Sequence, residues 1–192
     1  MKSNFLTTTL PLLFLLSPLS SLASASSAST ISTALNKVQQ STSKLGDSIT
    51  SWNGKPLSLL LPGPQNNKNP ILVAAVSLLA QVEKATKTAR DSGPVPDLEG
   101  ALQVAQATTD LVGAVNVTLE AIIRAKPKFD RTLLTPLILI DLGLQRKATA
   151  GLSQEVVNKI PPELQDTARE LVKPVDEGFA LAIRVFHQPP SF

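Results

Sequence analysis

Apolar side chains recur at alternating steps of three and four residues through most of this chain. The clearest run begins at Ile31 and continues to Trp52, and similar runs follow several breaks that are rich in Pro and Gly. This spacing puts the apolar residues on one face of an α-helix, and no segment of useful length alternates as a β-strand would. The sequence therefore predicts an all-α fold, an antiparallel bundle of about five amphipathic helices.

The first three helices have recognisable ends. The first is expected to stop at Asn53-Gly54, and the connection that follows contains the apolar run Leu57–Leu61, which we expect to tuck against the bundle or to act as a flap. A second helix is predicted from about Pro70 to Arg90, and a third from the N-cap Asp97 to about Lys126. The inner seam predicted for the third helix comprises Leu98, Leu102, Ala105, Thr109, Val112, Leu119 and Ile123.

The later helices follow a predicted corner at residues 126–130, and the basic residues Lys126, Lys128 and Arg131 are expected to form the solvated end of a helix. Thr135 is expected to cap a fourth helix that stops before Pro161. Its segment Leu137–Leu144 is so apolar that we expect it to be buried nearly all round. A fifth helix is predicted from about Pro162, with Pro174 kinking or interrupting it.

The N-terminus has the pattern of a secretory signal peptide. Lys2 supplies a positive charge, Leu10–Leu16 is apolar apart from Pro11, and Ala23-Ser24-Ala25 is a small-residue cleavage site. The apolar run is too short to cross a bilayer as a helix. We expect residues 1–25 to be the signal peptide, 26–187 the helical binding domain and 188–192 a disordered tail. The protein is thus predicted to be secreted and to reside in the extracellular medium or the cell wall.

Composition excludes several classes of function. The chain has no Cys, which rules out thiol catalysis, Cys-bound metal and a disulfide scaffold. The net charge is only +3 and the basic residues are scattered, so nucleic acid is not an expected partner. The single His, His187, lies beside the tail, and no phosphate loop or metal motif is present. We therefore expect no catalytic residues, no metal site, no cofactor and no enzymatic activity.

Three segments resemble a known family. The stretches "AKPKFD", "VVNKIPPELQDTARELVKPVDEGFALAI" and "STISTALNKVQQSTSKLGDSITSWNG" are similar to the hydrophobic surface-binding protein A family, secreted fungal proteins that include cell-wall galactomannoproteins. The resemblance implies a domain of about five helices with affinity for hydrophobic matter. It also implies adsorption to hydrophobic solid surfaces, where members help secreted hydrolases to gather, and in related galactomannoproteins a fatty acid held between helices.

Two functions follow as hypotheses. The first is a non-enzymatic binder of a fatty acid or another lipid, which sits in a cavity between helices. The second is a structural surface-active protein that adsorbs at apolar interfaces and recruits lytic enzymes. The candidate ligand-binding residues are Leu72, Leu79, Leu102, Val112, Leu119, Leu137, Ile140, Leu144 and Phe179.

Four further positions bear on these hypotheses. Asp141 is expected either to lie at a rim position or to pair with Lys or Arg; the alternative is a polar contact for a ligand head group in an apolar cavity. Gly143 and Gly151 suggest close approach by a neighbouring helix or a bound acyl chain. Asn116, in Asn116-Val117-Thr118, is the predicted N-glycosylation site, although its place beside the seam could turn it inward.

Overall fold

Five α-helices and one short 3-10 turn form the part of the chain that the computed structural model describes, residues 19–54 and 70–190. The helices are α1 (Leu19–Ser51), α2 (Pro70–Asp91), α3 (Leu98–Arg131), α4 (Thr135–Val157) and α5 (Gln165–His187), with the 3-10 turn at Pro162–Leu164. These residues contain no β-strand, and the predicted all-α bundle of five helices is confirmed. The apolar run Leu57–Leu61 lies outside the described residues.

The helices form a closed ring in which each packs against two others, in the cyclic order α1, α2, α4, α5, α3. α3 and α4 follow one another in sequence but lie on opposite sides of the ring, with little direct contact. Aliphatic side chains and alanines fill most of the interior. An aromatic cluster closes one part of it, where Trp52 stacks on Phe129 and Phe129 lies 6.0 Å from Phe186 between ring centroids.

Several helix ends are those that the sequence predicts. Asp97 caps α3, because its Oδ1 accepts a hydrogen bond from the backbone N–H of Gly100 at 2.8 Å. After α1, Gly54 has a φ of 76°, a left-handed conformation that glycine adopts at little cost. The end of α2 is held by Lys159, which follows α4: its Nζ donates to the carbonyl of Arg90 at 2.8 Å.

The predicted corner at residues 126–130 is wrong, because α3 continues through Pro127 to Arg131. Proline removes one backbone donor, and buried side chains in this last turn outweigh that loss. Phe129 is completely buried, and Lys126 Nζ lies 2.6 Å from Asp130 Oδ2 in a buried ion pair. Lys126 is therefore part of the interior and not of a solvated helix end. α5 likewise runs through Pro174 without interruption.

The turn between α3 and α4 also differs from the prediction. Thr135 does not cap α4; its hydroxyl donates to Asp130 Oδ1 at 2.5 Å. The turn is instead a Schellman motif, in which the N–H of Leu134 donates to the Phe129 carbonyl at 2.9 Å and that of Leu133 to the Asp130 carbonyl at 3.1 Å. Leu133 occupies the position where glycine is usual, and its φ is 58°.

The buried face of α3 lies one residue away from much of the predicted seam. Leu102 and Thr109 are exposed, whereas Ala101, Val104 and Thr108 are buried. The reason is the close packing of α1, which selects small residues: a Cβ placed on Gly100 would lie 3.1 Å from Ala28 Cβ. Leu98 and Leu102 of the predicted seam consequently turn toward the space beside α5.

Candidate functional site

An apolar cavity of about 200 Å³ lies between α2 and α4. An engineered apolar cavity of about 150 Å³ accepts benzene, so this space can hold a hydrocarbon segment. Its floor comes from α1 and α3 through Leu45, Ile49, Ile122 and Phe129. Its walls come from α2, from α4 and from Leu134, which directly precedes α4. The wall residues are Ile71, Leu72, Ala75, Val76, Leu79, Leu134, Leu137, Ile138, Ile140, Asp141 and Leu144. We call this space the α2–α4 cavity.

The α2–α4 cavity opens to solvent between its two walls, and its opening is apolar. Its exposed lining residues, here called the rim patch, are Leu72, Val76, Leu137, Ile140 and Leu144. The prediction that Leu137–Leu144 is buried nearly all round is therefore wrong, since Leu142 alone in that segment is fully buried. The segment is apolar because it borders a cavity and its mouth, while the rest of α4 packs on α2 and α5.

Gly143 and Gly151 do not mark a close approach. A Cβ added at either position would meet nothing within 4 Å. Both glycines border open space, so the expectation of a neighbouring helix against them is wrong. The alternative of an acyl chain at these glycines stays a prediction.

Asp141 is the single polar residue among those that line the α2–α4 cavity in the described part of the chain. It also lines a smaller central cavity of about 30 Å³, which all five helices border. Burial raises the pKa of the Asp141 carboxyl above its ordinary value, and a hydrogen bond from Gln145 lowers it only in part. None of the ion pairs among the described residues involves Asp141, so pairing with Lys or Arg does not explain its position.

Gln145 lies one helical turn after Asp141 and is almost completely buried. Its Nε2 donates to the carbonyl of Ala75 at 3.0 Å, which ties α4 to α2 beside the α2–α4 cavity. Its Oε1 is buried and has no hydrogen-bond partner in the described part of the chain. A buried acceptor without a donor is costly, and it marks this region as one in which a further donor would be favourable.

A third cavity, of about 140 Å³, lies between the start of α3, the end of α4 and α5. Leu98, Leu102, Val156 and Leu171 are among its lining residues, and Thr108 and Thr167 are its polar ones. We call it the α3–α5 cavity. The sequence did not predict a second apolar space, although Leu98 and Leu102 of the expected α3 seam line it.

The structure separates the nine predicted ligand-binding residues. Five of them line the α2–α4 cavity: Leu72, Leu79, Leu137, Ile140 and Leu144. Leu102 lines the α3–α5 cavity, and Leu119 and Phe179 line the central one. Val112 lines none of these three and packs half-buried against the core. Val76 was missed, although its spacing of four residues from Leu72 places both on one face of α2.

The described residues contain no group of three or more His, Asp or Glu side chains that could hold a metal ion. His187 is exposed at the last position of α5. Among the described helices, none is both long enough and apolar enough to span a membrane.

Asn116 lies half-buried on α3 where this helix faces α5. A Cβ added at Gly178 of α5 would lie 3.3 Å from Asn116 Oδ1, so the amide is close to the backbone of the neighbouring helix. Glycosylation of Asn116 remains a prediction, and this position gives a glycan little room.

The sequence matches the sequence model of the family described as Hydrophobic surface binding protein A over residues 28–158. This range covers α3, α2 and α4 and all but the start of α1, and it therefore includes every residue that lines the α2–α4 cavity. No curated protein matches this sequence significantly.

Solved structures with a similar fold hold long-chain fatty acids. The crystal structure of AfMp4p in complex with palmitic acid has a TM-score of 0.73 at 23% identity, covering 83% of this chain and 99% of the other. Ligand binding domain 1 of Penicillium marneffei MP1, complexed with arachidonic acids, has a TM-score of 0.71 at 17% identity, covering 81% and 95%. Domain 2 of the same protein, complexed with multiple arachidonic acids, has a TM-score of 0.66 at 19% identity, covering 90% and 99%. At these identities the likeness is one of fold.

Proposed function

Because the chain belongs to the hydrophobic surface binding protein A family, we propose that it is a secreted, non-enzymatic protein that binds the hydrocarbon chains of lipids. The binding site in this proposal is the α2–α4 cavity. The fatty acids held by AfMp4p and by the MP1 domains support a lipid as the class of ligand.

One observation carries the proposal: the α2–α4 cavity is lined by apolar side chains apart from Asp141, and it opens through the exposed rim patch. A hydrocarbon chain that enters removes both its own surface and that of the cavity from water. Each methylene group buried in this way contributes about 0.8 kcal/mol. The floor residues belong to α1 and α3, so the chain end would contact four of the five helices.

A second function is favoured by the rim patch itself. Its five residues lie side by side on α2 and α4, with Val76 60% and Ile140 62% exposed. Contiguous exposed apolar surface of this kind marks an interaction site. We propose that the rim patch also adsorbs to hydrophobic solid surfaces, and that secreted hydrolases are recruited there as the resemblance implies.

The remaining parts of the chain fit this proposal. Residues 1–25 serve as the signal peptide, residues 26–187 form the binding domain and residues 188–192 are a tail. The protein then acts in the extracellular medium or in the cell wall, where Asn116 is the candidate acceptor of a glycan. The signal-peptide pattern of the first 25 residues supports this location.

The test of lipid binding uses Trp52, the one Trp of the chain, because it stacks on Phe129 of the cavity floor. Delipidated protein is titrated with bromododecane, whose bromine quenches indole fluorescence at short range. We expect saturable quenching. Ala75→Phe fills the α2–α4 cavity and should abolish it, whereas the matched variant Ala168→Phe fills the α3–α5 cavity and should leave it unchanged.

Val76→Phe, on the exposed rim, serves if Ala75→Phe does not fold. Absence of quenching in the wild type would contradict the proposed site. Loss of quenching in Ala168→Phe, with quenching retained in Ala75→Phe and Val76→Phe, would contradict it as well.

Adsorption is tested with a matched pair of exposed leucines. Leu144 of the rim patch is 50% exposed, and Leu181 of α5 is 48% exposed and lines none of the three cavities. We expect Leu144→Gln to reduce retention on a polystyrene surface more than Leu181→Gln does. Equal retention of the two variants would contradict the proposed adsorption through the rim patch.

A further inference from the structure

We propose that the α3–α5 cavity is a second binding site for alkyl chains, which takes about six carbons of a chain and fills independently of the α2–α4 cavity. The inference goes beyond the proposed function, which concerns the α2–α4 cavity alone. It follows from the position of the α3–α5 cavity, the chemistry of its lining and the hydrogen bonds that hold its walls.

The two cavities lie at opposite ends of the bundle. Leu102 lines the α3–α5 cavity and Phe129 lines the α2–α4 cavity, and both residues belong to α3. The rise of an α-helix separates these two residues by about 40 Å. None of the described residues lines both cavities. A ligand in one cavity therefore makes no contact with the lining of the other.

The lining of the α3–α5 cavity suits a hydrocarbon. Among the described residues, no charged side chain lines it, and its polar lining residues are two threonines. Thr108 is buried and its hydroxyl donates to the Val104 carbonyl at 2.8 Å, whereas Thr167 is exposed. The interior of the cavity thus offers a polar head group neither a charge nor an unused hydroxyl donor. Burial of apolar surface is the interaction that it provides.

The size of the cavity sets the length of chain that it takes. Its volume is about 140 Å³. An engineered apolar cavity of about 150 Å³ holds benzene, so the α3–α5 cavity accommodates about six carbons. Val104, Val156 and Ile160 are buried lining residues, whereas Leu98 and Leu102 are mostly exposed and form its mouth. A longer chain must leave its remaining carbons and its head group at this mouth.

Hydrogen bonds between neighbouring segments hold the walls of the cavity. The N–H of Val95 donates to the Lys159 carbonyl at 2.7 Å, directly before the wall residue Ile160. Lys159 Nζ also donates to the Ser92 carbonyl at 2.7 Å, and Gln165 Nε2 donates to the Ile160 carbonyl at 3.1 Å. These bonds join the segment before α3, the end of α4 and the start of α5. Collapse of the walls would distort them, so the cavity is preformed, as ligand sites usually are.

Methyl-group NMR of the protein titrated with hexanoate tests the inference. Leu79 reports on the α2–α4 cavity and Leu171 on the α3–α5 cavity. We expect the methyl signals of both leucines to shift, each with its own dissociation constant. Butanoate should bind about tenfold more weakly at Leu171, because two buried methylene groups are lost. Octanoate should gain less than about threefold there, because its extra carbons lie at the mouth.

Two matched substitutions assign each set of shifts to its cavity. Ala168→Phe fills the α3–α5 cavity and should weaken hexanoate binding at Leu171 by at least about tenfold, because the phenyl ring takes the place of bound carbons. It should leave binding at Leu79 unchanged. Ala75→Phe, in the α2–α4 cavity, should have the reverse effect.

A milder pair of variants keeps the test decisive if Ala168→Phe does not fold. Leu102→Gln places an amide at the exposed mouth and should weaken hexanoate binding at Leu171 by about threefold. The control is Leu181→Gln, at an exposed position of α5 that lines none of the three cavities, and it should not change this binding.

The outcomes separate this inference from the proposed function. Absence of a shift at Leu171, or a shift there that both Ala168→Phe and Leu102→Gln leave unchanged, would overturn the second site. Loss of the shifts at both leucines in a single cavity variant would overturn its independence. A change in the Leu98 signal on dilution of the ligand-free protein would show that a second copy covers the mouth, and would overturn the alkyl chain as its occupant. Absence of a shift at Leu79 alone would contradict the proposed function and leave this inference standing.

Discussion

The indole of Trp52 stacks on the ring of Phe129 with the ring centroids 4.8 Å apart, and Phe129 is also part of the floor of the α2–α4 cavity. The aromatic pair thus connects the end of α1 to the proposed ligand site. Lys128 Nζ holds this end in place by donating to the Trp52 carbonyl at 2.8 Å.

A first prediction follows from this stacking. Occupation of the α2–α4 cavity by dodecane should change the emission intensity or wavelength of Trp52, because the ligand would contact Phe129, on which the indole stacks. Phe129→Leu should weaken the response while leaving a calorimetric binding signal. If calorimetry detects binding to the wild type and Trp52 emission does not respond at all, the ligand lies elsewhere.

A second prediction concerns the buried pair Lys126–Asp130. Lys126→Met leaves Asp130 buried without its cation and should destabilise the fold by about 3–5 kcal/mol in urea unfolding. Lys126→Met combined with Asp130→Leu should recover most of that loss, since both charges are then gone. A double variant as unstable as the single one would show that the pair is not the source of the effect.

The same pair predicts a response to acid. Burial alone would raise the pKa of Asp130, but hydrogen bonds from Lys126 and Thr135 and the charge of Lys126 outweigh burial, so the pKa is lowered. A carboxyl with a lowered folded-state pKa contributes stability above its unfolded pKa and loses it as the pH falls through the folded value. Wild-type stability should therefore fall below about pH 4, and less steeply in the double variant.

A third prediction concerns Asp141, whose pKa is raised where that of Asp130 is lowered. Burial raises the pKa of Asp141, so ionisation of this carboxyl costs stability at neutral pH and the cost disappears on acidification through the raised folded-state value. Asp141→Asn should raise the melting temperature of the ligand-free protein at pH 7 by about 2 °C. Asp176→Asn, whose carboxyl has a lowered pKa because Arg146 donates to it, should show no such gain. Equal shifts in the two variants would contradict this difference.

A fourth prediction concerns the strained turn after α3. Leu133 has a φ of 58° and is 86% exposed, so its side chain gains little contact for the strain of a left-handed backbone. Leu133→Gly should stabilise the protein by about 0.5–1 kcal/mol, as relief of strain exceeds the added flexibility of the unfolded chain. Leu133→Ala keeps the backbone strain and serves as the control; a gain of the same size there would show that exposure of the leucine matters instead.

Much of the fold could be predicted from local patterns. The periodic apolar residues predicted the five helices, and Asp97 and Gly54 predicted two of the helix ends. The family that the quoted segments resemble is confirmed by the match over residues 28–158. The corner at residues 126–130 was wrong because Pro127 is a local signal, whereas the burial of Phe129 and the Lys126–Asp130 pair depend on packing across the ring.

The candidate site was predictable only in part for a similar reason. The periodicity of apolar residues predicts that Leu72 and Leu137 lie on the apolar faces of their helices. It does not predict which helices pack against each other. The ring order places α4 beside α2, and this puts the apolar segment Leu137–Leu144 at the mouth of a cavity rather than in the core. Leu102 and Leu119 share the predicted seam on α3, yet they line different cavities because they lie several turns apart.

The position of a bromine atom in a crystal of the protein soaked with bromododecane tests the central claim most directly. The account predicts an anomalous bromine peak inside the α2–α4 cavity, within contact distance of Leu45, Ile49, Ile122 or Phe129. A peak that appears only in the α3–α5 cavity or on the outer surface, with the α2–α4 cavity empty, would contradict it.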